Sequence, residues 1–234
     1  MTRPVALVTG ASRGIGRAIA LELARTHDLV AVARDAKGLW RLGEEATKAG
    51  AQVTVVECDV TDPAMVAREL DGVDCDVLVN NAGVATMKPF LSLSPDEWHA
   101  MVDVNVNALY HVTRAVLPGM VARQRGHVIT IGSTAGRNTF ANGSCYVGTK
   151  HFVVGFSECL MLEVRDAGVK VSMVHPGSVS TDLFPPGTDT SWMIEPEDVA
   201  HAVRTLVDQP AHVLVYSLEV RPLTPKRRRD GSTR

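Results

Sequence analysis

Tyr146 and Lys150 stand four positions apart in CYVGTK, so on a helix their side chains leave from one face. A phenol and an ammonium so placed suit proton transfer to or from an alcohol oxygen. Free tyrosine ionises near pH 10, too high for efficient exchange at neutrality, and a neighbouring cation favours the phenolate. Lowering the phenol by ~2 units takes only ~3 kcal/mol of differential interaction. The plain alternative for an isolated YxxxK is a helix-surface pair with a half-buried tyrosine. A second group, VTGASRGIG, places Gly10, Gly14 and Gly16 within seven positions after an apolar run. Glycines there let the backbone approach a pyrophosphate, while the free N–H groups and dipole of a following helix attract the anion. A tight strand-to-helix turn would use glycine as well.

The elements that must hold these residues follow from the apolar rhythm. Continuous apolar runs predict strands at Val5–Thr9, Leu29–Ala33, Gln52–Glu57, Asp76–Val79, His127–Ile131, Lys170–Val174 and Val213–Val220. Between them, helical spacing begins at Ile15 and covers Gly38–Ala49, where Gly50 ends it. Asp62-Pro63 starts a helix, and Ser94-Pro95-Asp96-Glu97 starts one long helical stretch reaching about Arg123. Further helices are expected over Cys145–Ala167 and Pro196–Val207. Strict alternation means right-handed crossovers: an α/β, Rossmann-type doubly wound fold with a seven-stranded parallel sheet and helices on both faces. No linker or repeat interrupts it, so residues 1–224 read as one dinucleotide-binding and catalytic domain. The basic tail at 225–234 reads as disordered.

Composition narrows the function classes. The 234 residues are 45% hydrophobic and 21% charged, and the net charge of −2 offers nucleic acid or an anionic membrane no general attraction. The four cysteines (Cys58, Cys75, Cys145, Cys159) lack metal-ligand spacing and read as reduced thiols of a cytoplasmic protein. No metal is implied by the histidines either. No run reaches the ~18 apolar residues of a membrane span.

In a doubly wound sheet ligands bind beyond the carboxyl ends of the strands, where the strand order reverses, which is where the 8–16 loop falls. TGASRGIG, then NNAG at Asn80–Gly83, then Tyr146-Val-Gly-Thr-Lys150, then Pro176-Gly177 together resemble the single-domain branch of the short-chain dehydrogenase/reductase family, from Val5 to about Pro222. The resemblance implies an NADP(H)-dependent oxidoreductase acting on a carbonyl or secondary alcohol. It places the carbonyl-orienting serine at Ser133 rather than Thr134. The helix asparagine, supporting a water between the lysine and solvent, falls at Asn105, with Asn107 the competing assignment. Asn105, Ser133, Tyr146 and Lys150 thus look like the family's tetrad. Cofactor contacts are implied at Gly10, Ser12, Arg13, Gly14, Ile15 and Gly16, at Asp59 (adenine) and Val60, and at Asn81, Ala82 and Gly83. Tyr146 and Lys150 at the ribose, and Pro176, Gly177, Val179 and Thr181 at the nicotinamide, complete the set. A regulator that binds nucleotide without catalysis is the alternative, and it would be expected to have lost one of the tetrad residues.

The second strand carries the cofactor choice. An NAD site needs a carboxylate at its end to accept from the ribose 2′-OH, and this chain has Ala33 there. Arg34 and Arg13 suit a 2′-phosphate through charge-assisted hydrogen bonds. Asp35 is the counter-argument, but it reads better as the start of the next helix. By position, Val84, Ala85, Ala135, Arg137, Phe140, Ser178, Leu183, Phe184 and Trp192 should line the substrate pocket; Arg137 could contact an anion there, although a surface arginine is the better reading of it. Two departures from the family pattern are Gly148, where alanine or serine is usual, and a C-terminus without its glycine-rich ending. The helices around 102–123 and 145–167 carry more apolar surface (Val112, Val116, Phe152, Val153, Phe156, Leu160, Met161) than one sheet face should need, and the resemblance implies that they pair across a two-fold axis in a homodimer or homotetramer.

Overall fold

Seven runs of small or branched apolar residues pair into one sheet: β1 Val5–Thr9, β2 Asp28–Ala33, β3 Val53–Glu57, β4 Val77–Asn80, β5 Gly126–Ile131, β6 Val169–Pro176 and β7 Ser217–Val220. The computed structural model describes residues 3–185 and 187–224, so the basic tail at 225–234 lies outside the described residues. Strand order is β3-β2-β1-β4-β5-β6-β7, and all neighbours run parallel. This is the doubly wound Rossmann-type arrangement expected from the alternation of strands and helices. The winding reverses between β1 and β4, so the loops leaving these two strands diverge and open a crevice.

Successive strand residues point to opposite faces, and each face has its own core. Ala6, Val8, Ala31 and Ile129 meet α1 (Gly14–Ala24), α2 (Ala36–Lys48) and α7 (Pro196–Val207) through Ile19, Leu23, Leu39, Leu42, Val203 and Leu206. Leu7, Val32, Leu78, Val128 and Val171 meet α3 (Pro63–Leu70), α5 (Ala108–Ala122) and α6 (Ser144–Val164) through Val66, Leu70, Val112, Val116, Met120, Leu160 and Val164. Helix starts carry the expected caps. Asp35 and Asp62 accept from backbone N–H groups at the starts of α2 and α3, and Ser94 with Glu97 forms a capping box on α4 (Pro95–Val102).

Two elements differ from the sequence expectation. The stretch from Ser94 to Arg123 is not one regular helix: α4 passes into a π-helical turn at Asp103–Asn107 before α5 begins. A π turn widens the helix by one residue per turn and re-aims its side chains, here at Asn105. The seventh strand begins at Ser217, not Val213. The Val215 carbonyl accepts from the Ser172 hydroxyl at 2.8 Å, and the backbone ladder to β6 starts one residue later, where the Met173 N–H donates to the Tyr216 carbonyl at 2.8 Å.

Candidate active site

The β1–α1 loop and the end of β4 are stitched together at the crevice. The Thr9 hydroxyl accepts from the N–H groups of Asn81 (3.0 Å) and Ala82 (3.1 Å), and the Asn81 amide donates to the Thr9 carbonyl at 2.9 Å. Gly10 turns the chain at φ +66°, in the left-handed region. A Cβ on Gly16 would lie 2.3 Å from the Gly10 carbonyl oxygen, so α1 can pack this tightly only with glycine there. α1 starts at Gly14 with no side-chain cap, leaving its first N–H groups available to an anion. Around this turn lies a cavity of about 470 Å³, lined by Gly10, Ser12, Arg13, Gly14, Ile15, Gly16, Arg34, Val60, Asn81, Ala82, Gly83 and Thr181.

Charge at its far end is arranged in pairs. Arg34 stands 3.6 Å from Asp59, and Arg13 stands 3.7 Å from Asp182, with both arginines largely exposed. The Asp59 carboxyl is itself held by Thr61, through both its N–H (3.0 Å) and its hydroxyl (2.8 Å). Burial pushes Asp59 up, but the Thr61 bonds and Arg34 prevail and hold it below the usual carboxylate range. Asp35 accepts from the Gly38 N–H at 3.1 Å, occupied as the cap of α2.

A second cavity, also about 470 Å³, adjoins the first and shares Ile15, Asn81, Gly83, Val84, Thr181 and Leu183 with it. Ser133, Tyr146, Lys150, Pro176, Gly177 and Val179 line it. Ser133 follows β5, where its hydroxyl accepts from the Ala135 N–H at 3.1 Å and fixes the turn. Tyr146 and Lys150 leave the first turns of α6 and are both buried. Lys150 Nζ donates to the Ile131 carbonyl at 3.2 Å and lies 5.9 Å from the centre of the Tyr146 ring. Asn105 is buried on the π turn: its Oδ1 accepts from the Val84 N–H (2.9 Å), and its Nδ2 donates to the Val84 carbonyl (2.9 Å) and the Thr149 hydroxyl (3.0 Å). Asn107 points elsewhere, to Asp103 on the exposed side at 2.8 Å. A small void of about 20 Å³, enough for one water, touches Asn105, Thr130 and Lys150, and the buried Thr130 hydroxyl has no protein partner.

The expected direction of the Tyr146 shift is corrected. Lys150 does not depress the Tyr146 phenol in this arrangement; burial pushes the phenol up, with only the Ser133 side chain pulling the other way. Burial also holds Lys150 down to about 8. Two groups buried side by side both favour their neutral forms, and the ammonium lies over the ring rather than at the hydroxyl.

Among the expected substrate-pocket residues, Val84, Ala85, Ala135, Phe140, Ser178, Leu183 and Phe184 do line this cavity. Arg137 does not: it turns outward and donates to the Ser217 hydroxyl at 2.8 Å. Trp192 is also outside it, its indole N–H donating to the Asp189 carbonyl at 3.0 Å. Met87 and Asn142 line the substrate-side cavity, and Cys58, Val104 and Asp182 the other, without having been expected there from the sequence, while Ala33 lines the latter as its place at the end of β2 implied. The unexpected residues sit outside the short motifs, on loops and on the π turn, which carry no repeating pattern.

Residues 4–191 match the family model described as short chain dehydrogenase. The NADP-dependent 3-hydroxy acid dehydrogenase YdfG of Escherichia coli strain K12 is 36% identical over 239 aligned positions, covering 94% of this chain and 95% of that protein. A closed serine dehydrogenase complexed with NADP+ superposes with a TM-score of 0.85 at 34% identity, covering 95% of this chain and 96% of the other. An alcohol dehydrogenase from the archaeon Thermococcus sibiricus, complexed with 5-hydroxy-NADP, gives a TM-score of 0.88 at 31% identity, with 95% and 99% covered. Likeness of this degree along nearly the whole chain, on a site of this geometry, establishes that the protein belongs to the short-chain dehydrogenase family.

Proposed function

We propose that the protein transfers a hydride between NADP(H) and a carbonyl or secondary alcohol substrate, with Tyr146 as the general acid and base. The observation that carries this reading is the meeting of two cavities. One is built on a glycine turn at a helix N-terminus, and the other holds Ser133, Tyr146 and Lys150 beside the shared wall. The glycine turn fits a dinucleotide: Gly10, Ser12, Gly14, Ile15 and Gly16 offer backbone N–H groups to the pyrophosphate. Arg13 and Arg34 offer guanidinium groups to a 2′-phosphate in place of their partners Asp182 and Asp59. Asp59 and Val60 border the adenine end, while Asn81, Ala82 and Gly83 form the floor. Pro176, Gly177, Val179 and Thr181 border the nicotinamide end, and Lys150 and Tyr146 the adjoining ribose. When bound, the nicotinamide supplies or takes the hydride.

The chain's own residues do the rest. The Ser133 hydroxyl donates to the substrate carbonyl oxygen and holds it beside the Tyr146 phenol. Tyr146 gives its proton to that oxygen as negative charge develops there, so donors fixed in advance stabilise the alkoxide. Burial keeps the phenol protonated and ready to donate. Lys150, fixed on the Ile131 carbonyl, brings a positive charge beneath the ring below about pH 8. Asn105 clamps the Val84 backbone and Thr149, and borders the void through which a water would reconnect Lys150 to solvent. With all four residues in place, a regulator that binds nucleotide without catalysis is not favoured.

Titrating the protein with each reduced cofactor tests the cofactor assignment. NADPH should bind markedly tighter, and replacing Ala33 with Asp and Arg34 with Leu should move the preference toward NADH. Equal or tighter NADH binding to the parent overturns the assignment.

The same reading makes the protein a cytoplasmic homodimer or homotetramer. Supporting the location, the cysteines among the described residues are free, and no described helix is long and apolar enough to cross a membrane. Supporting assembly, Tyr110 on α5 and Phe152 and Leu162 on α6 are exposed, and Phe152 stacks on Phe156 at 5.8 Å. The chain's own core already covers Val112, Val116, Val153 and Leu160, so the outer stripe is what a second copy would bury. Light scattering showing a monomer at micromolar concentration contradicts assembly.

A further inference from the structure

We infer that the substrate is a neutral carbonyl compound carrying an apolar substituent, and not a carboxylic acid; the inference rests on the hydride-transfer reading above. Together with Ser133 and Tyr146, large apolar side chains from three separate loops line the substrate-side cavity. Met87 follows β4, Phe140 follows β5, and Leu183 follows β6; they are 48%, 43% and 49% exposed. Phe184 joins them. Hydrophobic surface converging from three loops onto one cavity is unfavourable in water, and a substituent of matching polarity would cover it.

The charges point the same way. Among the described residues lining this cavity, Lys150 alone is charged, and its ammonium is directed to the Ile131 carbonyl beneath the tyrosine ring. Arg137 is engaged by Ser217 outside the cavity, and Arg13 faces Asp182 in the other cavity. The polar groups that remain on the substrate side, such as Asn142 and Ser178, are neutral. A carboxylate entering here would give up its water without meeting a cation that could replace it. An ester or ketone gives up far less. On this point the chain parts from the relatives named for 3-hydroxy acids and for serine.

The test uses the full chain with NADPH and matched substrates: ethyl 3-oxobutanoate against 3-oxobutanoate, and a series of straight-chain 2-ketones of rising length. The expected result is a kcat/KM for the ester at least ~30-fold above that of the acid, since the unpaired charge must be desolvated. It should also rise along the ketone series. Leu183→Arg, a change at an exposed loop position, should improve the acid relative to the ester by at least ~10-fold. An acid reduced as well as the ester, or an unchanged ratio in the Leu183→Arg protein, overturns the inference while leaving hydride transfer standing. If NADPH binds and no compound of either kind is reduced, the hydride-transfer reading fails and the inference with it.

Discussion

Replacing His127 with glutamine should relieve an acid weakness in the strand that leads to Ser133. His127 lies on β5 with its Nε2 2.8 Å from the Ser172 hydroxyl. That hydroxyl donates to the Val215 carbonyl, so the imidazole must be the donor and its neutral form satisfies the pair. Burial, followed by the charge of Lys170, holds the ring down to about 4. An unfolded histidine ionises near 6.5, so below that pH the unfolded chain takes up a proton that the folded chain refuses. The folded pKa is depressed, and stability is therefore lost as pH falls from about 6.5 toward about 4, by up to ~3 kcal/mol over the window. Glutamine keeps an amide donor for Ser172 and cannot titrate. Urea unfolding followed by circular dichroism at about pH 7.5 and about pH 4.5 should show the parent losing roughly 2.5 kcal/mol more than the variant. His27 and His175 are shifted in the same direction, but they and the carboxylates titrate in both proteins and cancel in the difference. Parallel losses of stability in the two proteins would refute the reasoning.

Two further outcomes follow from the helix that carries the site. A Cβ at Gly148 meets nothing within 4 Å, so Gly148→Ala should stabilise by ~1 kcal/mol and raise Tm by about 2–4 °C in thermal unfolding; a lowered Tm contradicts this. Because Lys150 gives up its proton at about 8, NADP+ affinity of the parent should fall as pH rises through that value, while Lys150→Met should bind weakly and without this step. Identical pH profiles for the two proteins contradict the assignment.

The sheet was readable because parallel strands buried on both faces require continuous apolar runs, and Val5–Thr9 and His127–Ile131 have no other use for theirs. The end of such a run is less readable. Val213 to Val215 looks like strand, yet the backbone ladder to β6 starts only at the Tyr216 carbonyl, and Val215 is held by the Ser172 hydroxyl instead. The π turn at Asp103–Asn107 has no apolar signature, although the resemblance preferred Asn105 to Asn107, and these two asparagines do part to the buried and exposed sides. Spacing brought Tyr146 and Lys150 to one face, but it does not say where on the ring the ammonium rests or how deeply both are buried. Those two facts reverse the expected direction for the phenol. Trp192 shows the same limit, since position along the chain says nothing of which way a long side chain turns.

The most direct measurement is single-turnover reduction of a ketone substrate by Tyr146→Phe, with NADPH binding measured on the same preparation. The substitution removes the phenol hydroxyl and leaves the ring, the buried Lys150 and the glycine turn in place. The account predicts NADPH affinity within a few-fold of the parent and hydride transfer slowed by ~10³-fold, the range of a lost general acid. Turnover retained within a few-fold of the parent would contradict it.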